Sequence, residues 1–331
     1  MKTRRSMTLA GMIAASALVL TACGETEAGQ AQGDADAGAA EEGTDWSDCT
    51  PGEQSAEVDL AAEEDKEISI AAFNGWDESF AAAHLTKYAL EEEGYSVTIE
   101  GFEAGPGYTA VAEGDIDFLM DAWLPVTHED YIAQFDEQLE ASGCWYVQAA
   151  NTIAVNEDSP AQSMADLAEM ADEHNSTIVG IEAGAGLTRQ TQDIMIPTYG
   201  LEDWEFKISS TPAMLAELKS ATDSGENIVV TLWRPHWAYD AFPIRDLEDP
   251  EGAMGAAEVI YNFATAGFGE EHPEVSQLLK NLVISDENLA SVENVMFSDE
   301  NYGGENLDEA VAEWVADNPE FIEDWKAGAL T

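Results

Sequence analysis

Basic residues are scarce in this sequence, with 12 Lys and Arg against 67 Asp and Glu and a net charge of −55. That deficit excludes nucleic acid as a partner, because a polyanion would be repelled along the whole chain. The acid is spread over the full length and is not gathered in one tail. This is the pattern of a surface kept hydrated where salt is high and self-repulsion reaches only about 3 Å at 1 M, and it predicts a halophilic source. Cysteine is nearly absent, with only Cys23, Cys49 and Cys144. No metal-ligand spacing arises from these or from the five histidines; His128-Glu129-Asp130 are adjacent, and neighbours on a chain seldom converge on one ion. No paired carboxylates in a distinctive context and no Ser-His-Asp signature point to catalysis, and no cofactor motif is present. Long apolar runs are limited to Met7–Leu20, too short and too abruptly ended for a stable membrane span.

That run follows Lys2, Arg4 and Arg5 and closes on Leu20-Thr21-Ala22-Cys23. Small residues before a cysteine resemble a bacterial lipoprotein signal, whose cleavage leaves the cysteine as a lipidated N-terminus; an ordinary secretory site with an incidental cysteine is the alternative. Residues 1–22 are thus read as a signal peptide, Cys23 as the lipidation site, and the rest as lying on the outer face of the cytoplasmic membrane. Residues 23–60 are rich in Gly, Ala, Glu, Asp and Gln. They carry too little apolar surface to offset ordering entropy, which predicts an acidic tether. Outside the cytoplasm an isolated cysteine pair is bridged more often than free, so Cys49 and Cys144 are expected to join the tether to the folded body, two unpaired thiols being the alternative.

From residue 66 short β-type runs alternate with helical patterns. Strands are expected at 67–73, 96–100, 115–120, 145–155, 177–181, 205–209, 227–232 and 258–263, with helices between and after them, including 129–141. Such alternation predicts an α/β fold with mainly parallel sheets flanked by helices. Two runs of this kind with two crossings describe a hinged receptor of two lobes, residues 61–152 plus 253–331 and residues 153–252.

Three of the nine tryptophans share one context. Trp76, Trp123 and Trp233 each fall just past the carboxyl end of an expected strand, the edge at which open α/β sheets bind ligands. One such tryptophan could be structural; three together suggest a cage. An indole face attracts a cation by about 0.5–2 kcal/mol. A quaternary ammonium has no N–H to give a carboxylate, so it suits such a cage better than a salt bridge. Between strand 177–181 and the next helix lies Glu182-Ala183-Gly184-Ala185-Gly186-Leu187. Free amides of Gly186 and Leu187 at the helix start can hold an anion, although a tight turn with no ligand is the bland reading and the lysine of a nucleotide loop is missing. Cage plus anion cradle describes a zwitterion. His128, five residues after Trp123, could donate to the same carboxylate, or could equally be a surface or capping residue.

The segments GWDES at 75–79, DAWLPVTH at 121–128, GIEAGAGL at 180–187, SSTPAM at 209–214 and LWRPHW at 232–237 resemble, in this order, the glycine betaine-binding proteins of ABC import systems. The resemblance covers most of residues 66–330. It implies a two-lobed periplasmic-binding-protein fold of type II, acting as a monomer with an ABC permease as partner. It further implies a cage of Trp76, Trp123 and Trp233, with carboxylate contacts from the Gly186 and Leu187 amides and from His128. Arg234 departs from the pattern, since a small residue is commoner beside that tryptophan, and puts fine selectivity in question. Proline betaine, carnitine and choline are rival ligands, an enzyme is the reading from a different class, and a ligand-sensing lipoprotein of the same fold is a third. Alanine in place of any one cage tryptophan is expected to weaken binding strongly and leave the fold intact.

Overall fold

Glu-Ile-Ser-Ile-Ala-Ala-Phe forms β1 (Glu67–Phe73), and its residues from Ile70 to Phe73 are all buried. A strand covered on both faces reads as a continuous apolar run, and parallel neighbours with helices above and below provide that cover. The computed structural model describes residues 44–298 and 300–331. The signal peptide, Cys23 and the first part of the expected tether lie outside the described residues.

After β1 come α1 (Asp77–Glu91), β2 (Ser96–Phe102), α2 (Ala104–Ala112), β3 (Phe118–Leu124), α3 (Glu129–Phe135) and the 18-residue β4 (Leu139–Asn156). There follow β5 (Thr177–Val179), α4 (Gly186–Gln190), a π turn at Thr191–Met195, α5 (Ile196–Thr198), β6 (Glu205–Lys207), α6 (Thr211–Ser224) and β7 (Val229–Arg234). The chain continues through α7 (Ala238–Ala241), β8 (Ile244–Asp246), β9 (Glu258–Thr265), α8 (Phe268–Glu271), α9 (Pro273–Asn281) and α10 (Asp286–Phe297). It ends in α11 (Leu307–Asp317) and α12 (Pro319–Ala327).

The strands run in the order β2-β1-β3-β9-β4-β7-β5-β6, with β8 beside β4. The outer pairs are parallel: β1 with β2 and β3, and β5 with β6 and β7. The pairs around β4 and β9 are antiparallel, so the sheet is mixed. Strand β4 pairs with β9 from Leu139 to Ala149 and with β7 from Ala150 to Val155. One strand therefore serves two sheets.

The structure corrects three expectations. The helix expected over 129–141 stops at Phe135, because from Leu139 the chain is drawn into pairing with β9, and long-range pairing overrides local propensity. Trp123 and Trp233 lie inside β3 and β7, not past their ends. The prolines at 125 and 235 suggest earlier strand ends, yet each stands just beyond the last ladder residue, after a cis peptide bond. Finally, the tether does not extend to residue 60. Trp46 packs edge-on against Tyr261 and Phe263 with centroids 5.4 and 5.5 Å apart, the Ala56 amide donates to Asn281 Oδ1 at 3.0 Å, and Leu60 is buried. A few large side chains anchor this otherwise small and acidic stretch. Cys49 is joined to Cys144 by a disulfide that spans 95 residues. A bridge closing a loop of about this length removes roughly 4–5 kcal/mol of unfolded-state freedom in the chain-entropy account.

Candidate functional site

The cavity forms where the carboxyl ends of β1, β3 and β7 meet the start of α4. Trp76 precedes α1 as its N-cap, and its amide donates to Phe73 O at 3.1 Å. Trp123 sits near the end of β3, just after a register shift between Leu119 and Ala122 in its pairing with β9. Such irregularities re-aim side chains and gather near functional sites. Trp233 lies near the end of β7. All three indoles, together with Glu78, Thr127, His128, Asn151, Ile181, Ala185, Gly186 and Leu187, line one cavity enclosing about 280 Å³ of space free of protein atoms.

His128 is 2% exposed and stacks on Trp76, with ring centroids 5.3 Å apart and planes 5° from parallel. Its Nδ1 accepts from the Trp123 amide at 2.9 Å. An acceptor Nδ1 places the proton of the neutral ring on Nε2. Burial, with a smaller contribution from Arg189, pushes the imidazole down to about 3, so the ring is neutral at physiological pH and donates through Nε2.

The turn that carries His128 is held from below. Glu258 accepts from the amides of Val126 and Thr127 at 2.7 and 2.9 Å and from the Thr127 hydroxyl. Asn151 Nδ2 donates to Thr127 Oγ1 at 2.7 Å and to Gln190 Oε1 at 2.9 Å, tying the turn to α4. Among the described residues no acceptor engages the amides of Gly186 and Leu187, which belong to the first turn of α4 and have no helical partner. Gly186 is required there: a Cβ at this position would lie 2.1 Å from Thr127 O.

Two indole N–H groups end on buried carboxyls. Trp123 Nε1 donates to Asp121 Oδ1 at 2.7 Å, and Trp233 Nε1 donates to Glu78 Oε2 at 3.0 Å. Behind them Trp237 Nε1 donates to Asp77 Oδ2. Asp77 and Glu78 open α1, where the helix dipole favours negative charge. Burial still dominates, raising Asp77 and Asp121 to about 7 against the opposing effect of their indole bonds. Glu78 is pushed well above the carboxylate range by burial and then by Asp121 and Glu293; Glu293 is raised by burial and then by Asp77.

The structure thus brings together Trp76, Trp123, Trp233, His128, Gly186 and Leu187. Arg234 does not line the cavity. Its Nε bonds Asp246 Oδ2 at 2.6 Å, and its guanidinium lies 3.6 Å from the centroid of the Tyr239 ring. His236 packs edge-on to Trp233 at 4.6 Å, and its Nδ1 accepts from the Ala238 amide at 3.0 Å. Sequence reading missed Glu78, Thr127 and Asn151. Glu78 was within reach, since an acid two residues after a cage tryptophan in GWDES carried the cue, but first-turn acids are common on any helix. Among the described residues, no group of His, Cys, Asp and Glu is arranged to hold a metal, and no helix is long and apolar enough to cross a membrane.

Residues 66–317 match the substrate-binding domain of ABC-type glycine betaine transport systems. A glycine betaine/carnitine transport binding protein of Listeria monocytogenes is 35% identical over 162 residues, 48% of this chain and 52% of that protein; the match spans about half of the relative's length. Among solved structures, a lactococcal protein in a closed-liganded complex with glycine betaine superposes with a TM-score of 0.72 at 27% identity. It covers 79% of this chain and 99% of its own. A choline-binding protein of an ABC transporter, in complex with choline, gives 0.71 at 28% identity over 80% of this chain and 93% of its own.

Proposed function

This chain belongs to the family of substrate-binding domains of ABC-type glycine betaine transport systems, and on that premise we propose that it captures glycine betaine, or a closely related betaine, outside the cytoplasm and delivers it to an ABC permease. The observation that carries this reading is the cavity itself. Three indoles, two unengaged amides and a neutral histidine donor converge on one space. The indole faces would hold the trimethylammonium pole through the ring quadrupole. The Gly186 and Leu187 amides and His128 Nε2 would hold the carboxylate, with hydrogen bonds to an ionised acceptor roughly twice as strong as neutral ones. Anchoring through a lipidated Cys23, the bridging of Cys49 and Cys144 in the mature protein, and a monomeric state belong to the same proposal. So does the lobe division at residues 61–152 plus 253–331 against 153–252, with β4 and β9 as the crossings.

Calorimetric titration in high salt tests it. Glycine betaine should bind at least about tenfold more tightly than choline, a gap of about 1.4 kcal/mol, because choline has no carboxylate for the amides. Equal affinities would remove the carboxylate role of Gly186, Leu187 and His128. Unchanged ligand after prolonged incubation, checked by mass spectrometry, is expected of a carrier; turnover would place the protein among enzymes.

A further inference from the structure

The cage carries a feature that capture of a betaine does not by itself require. Trp123 and Trp233 each direct the indole N–H onto a buried acid, Asp121 at 2.7 Å and Glu78 at 3.0 Å. Asp121 is 0% and Glu78 2% exposed, and Asp121 Oδ2 makes no hydrogen bond among the described residues. Burying such groups is costly without partners, and a neutral acceptor of similar shape would satisfy an indole N–H at lower cost. The groups acting on or acted on by this pair are the Glu293 carboxyl, itself raised by Asp77, and the Tyr108 phenol; His128 shares the cavity lining with Glu78 and His236 packs on Trp233, both rings held neutral by burial. None of these is a cation.

An aromatic box alone distinguishes a trimethylammonium from a tert-butyl group of equal bulk only through the ring quadrupoles. A carboxylate bonded to the back of a ring adds a whole negative charge in a site where low dielectric lengthens its reach. We propose that Glu78 and Asp121 are positioning residues of the cage: by holding the indole N–H groups of Trp233 and Trp123, their carboxylates make the pocket select positive charge and not trimethyl bulk alone. This rests on the reading of the cavity as a betaine site. A consequence is proton linkage. Both acids are raised in the ligand-free protein, Asp121 to about 7. A cation entering the cage favours their ionised forms, so binding releases protons and tightens as pH rises.

The test compares glycine betaine with its carbon isostere 3,3-dimethylbutanoate, which keeps the carboxylate and the bulk and lacks the charged nitrogen. Affinities are measured by tryptophan fluorescence and calorimetry for the wild type, Glu78→Gln, Asp121→Asn and the double variant. Each amide can still accept an indole N–H. Each single variant should bind glycine betaine roughly three- to thirty-fold more weakly, the span of a cation–π contact, while its affinity for 3,3-dimethylbutanoate stays level or rises. Wild-type affinity for glycine betaine should rise roughly tenfold from about pH 6 to about pH 8, and the double variant should flatten that profile. The wild-type profile needs no variant, so it decides the matter even if a variant fails to fold. Equal losses for both ligands, or a flat wild-type profile, would overturn the proposal and leave the betaine reading standing. A wild type that binds neither compound would overturn both.

Discussion

Gly186 shows how little room the cleft leaves at the level of single atoms. A side chain there would run into Thr127 O, a backbone atom of the turn that carries His128, at 2.1 Å. Gly186→Ala should therefore force the start of α4 away from the 125–128 turn and weaken glycine betaine binding, since overpacking of this kind costs roughly 1–3 kcal/mol, or about five- to 150-fold in affinity. Gly184→Ala is the control, because its Cβ would meet only the Tyr131 hydroxyl, at 3.8 Å. Calorimetry of both variants checks the pair; equal losses would deny Gly186 its special place. At this scale much was legible. Indole rings, a glycine pair at a strand-to-helix turn and a histidine five residues after a tryptophan are rare enough to read together. Thr127 and Asn151 were not, because their meaning lies in partners 131 and 39 residues away along the chain, Glu258 and Gln190; Glu78 left only the weak cue of GWDES, its partner Trp233 being 155 residues away.

Among elements, α4 and α3 clasp each other across the cleft. Arg189 Nη2 donates to the carbonyls of Val126 and Thr127 at 3.2 and 3.3 Å, its Nε lies 3.3 Å from Asp130 Oδ2, and the Tyr131 hydroxyl donates to Gly184 O at 2.9 Å. The Asp130 carboxylate is 75% exposed, so the ion pair contributes little and the carbonyl contacts carry most of the effect. Arg189→Ala should speed ligand release by roughly five- to thirtyfold, corresponding to a bond or two of about 1 kcal/mol net, with association barely altered. Stopped-flow fluorescence measures both rates; an unchanged release rate would mean that this clasp does not hold the closed form. Strand positions were read well where an apolar run was continuous, as in β1, expected and found at 67–73, and β9, expected at 258–263 and found at 258–265. Other segments were misread where a distant strand decided the outcome. Leu139 and its neighbours look helical until β9 claims them, and Trp46 looks like part of a loose leader until Tyr261 and Phe263 provide a surface for it.

For the whole molecule, charge outweighs every other influence of the surroundings. A net −55 makes the compact state repel itself in dilute buffer, and added salt screens that repulsion before it does anything else. The unfolding midpoint should climb steeply between low salt and about 1 M NaCl and then level; a flat dependence would remove the halophilic reading. The buried acids add a pH dependence of definite sign. Their folded pKa values are raised, to about 7 for Asp77 and Asp121, so their stabilising contribution is full below the unfolded values near 4 and is lost as pH rises through about 7. His128 and His236, held down to about 3, act oppositely: their contribution is present above about 6.5 and is lost as pH falls through about 3. Replacing Asp121 by Asn should flatten the decline on the alkaline side, as read from melts across pH at fixed molar salt; an unaltered slope would mean that Asp121 keeps the same proton whether the chain is folded or unfolded.

Strand β4 leaves one sheet and enters the other without a break, changing neighbour between Ala149 and Ala150. On the proposed lobe division this strand and the return through β9 are what two plates would share, and the plates would flex where they are shared. If catch and release bend those few peptide groups, a stiffening change there would alter the tempo of delivery while leaving the grip on the cargo as it was.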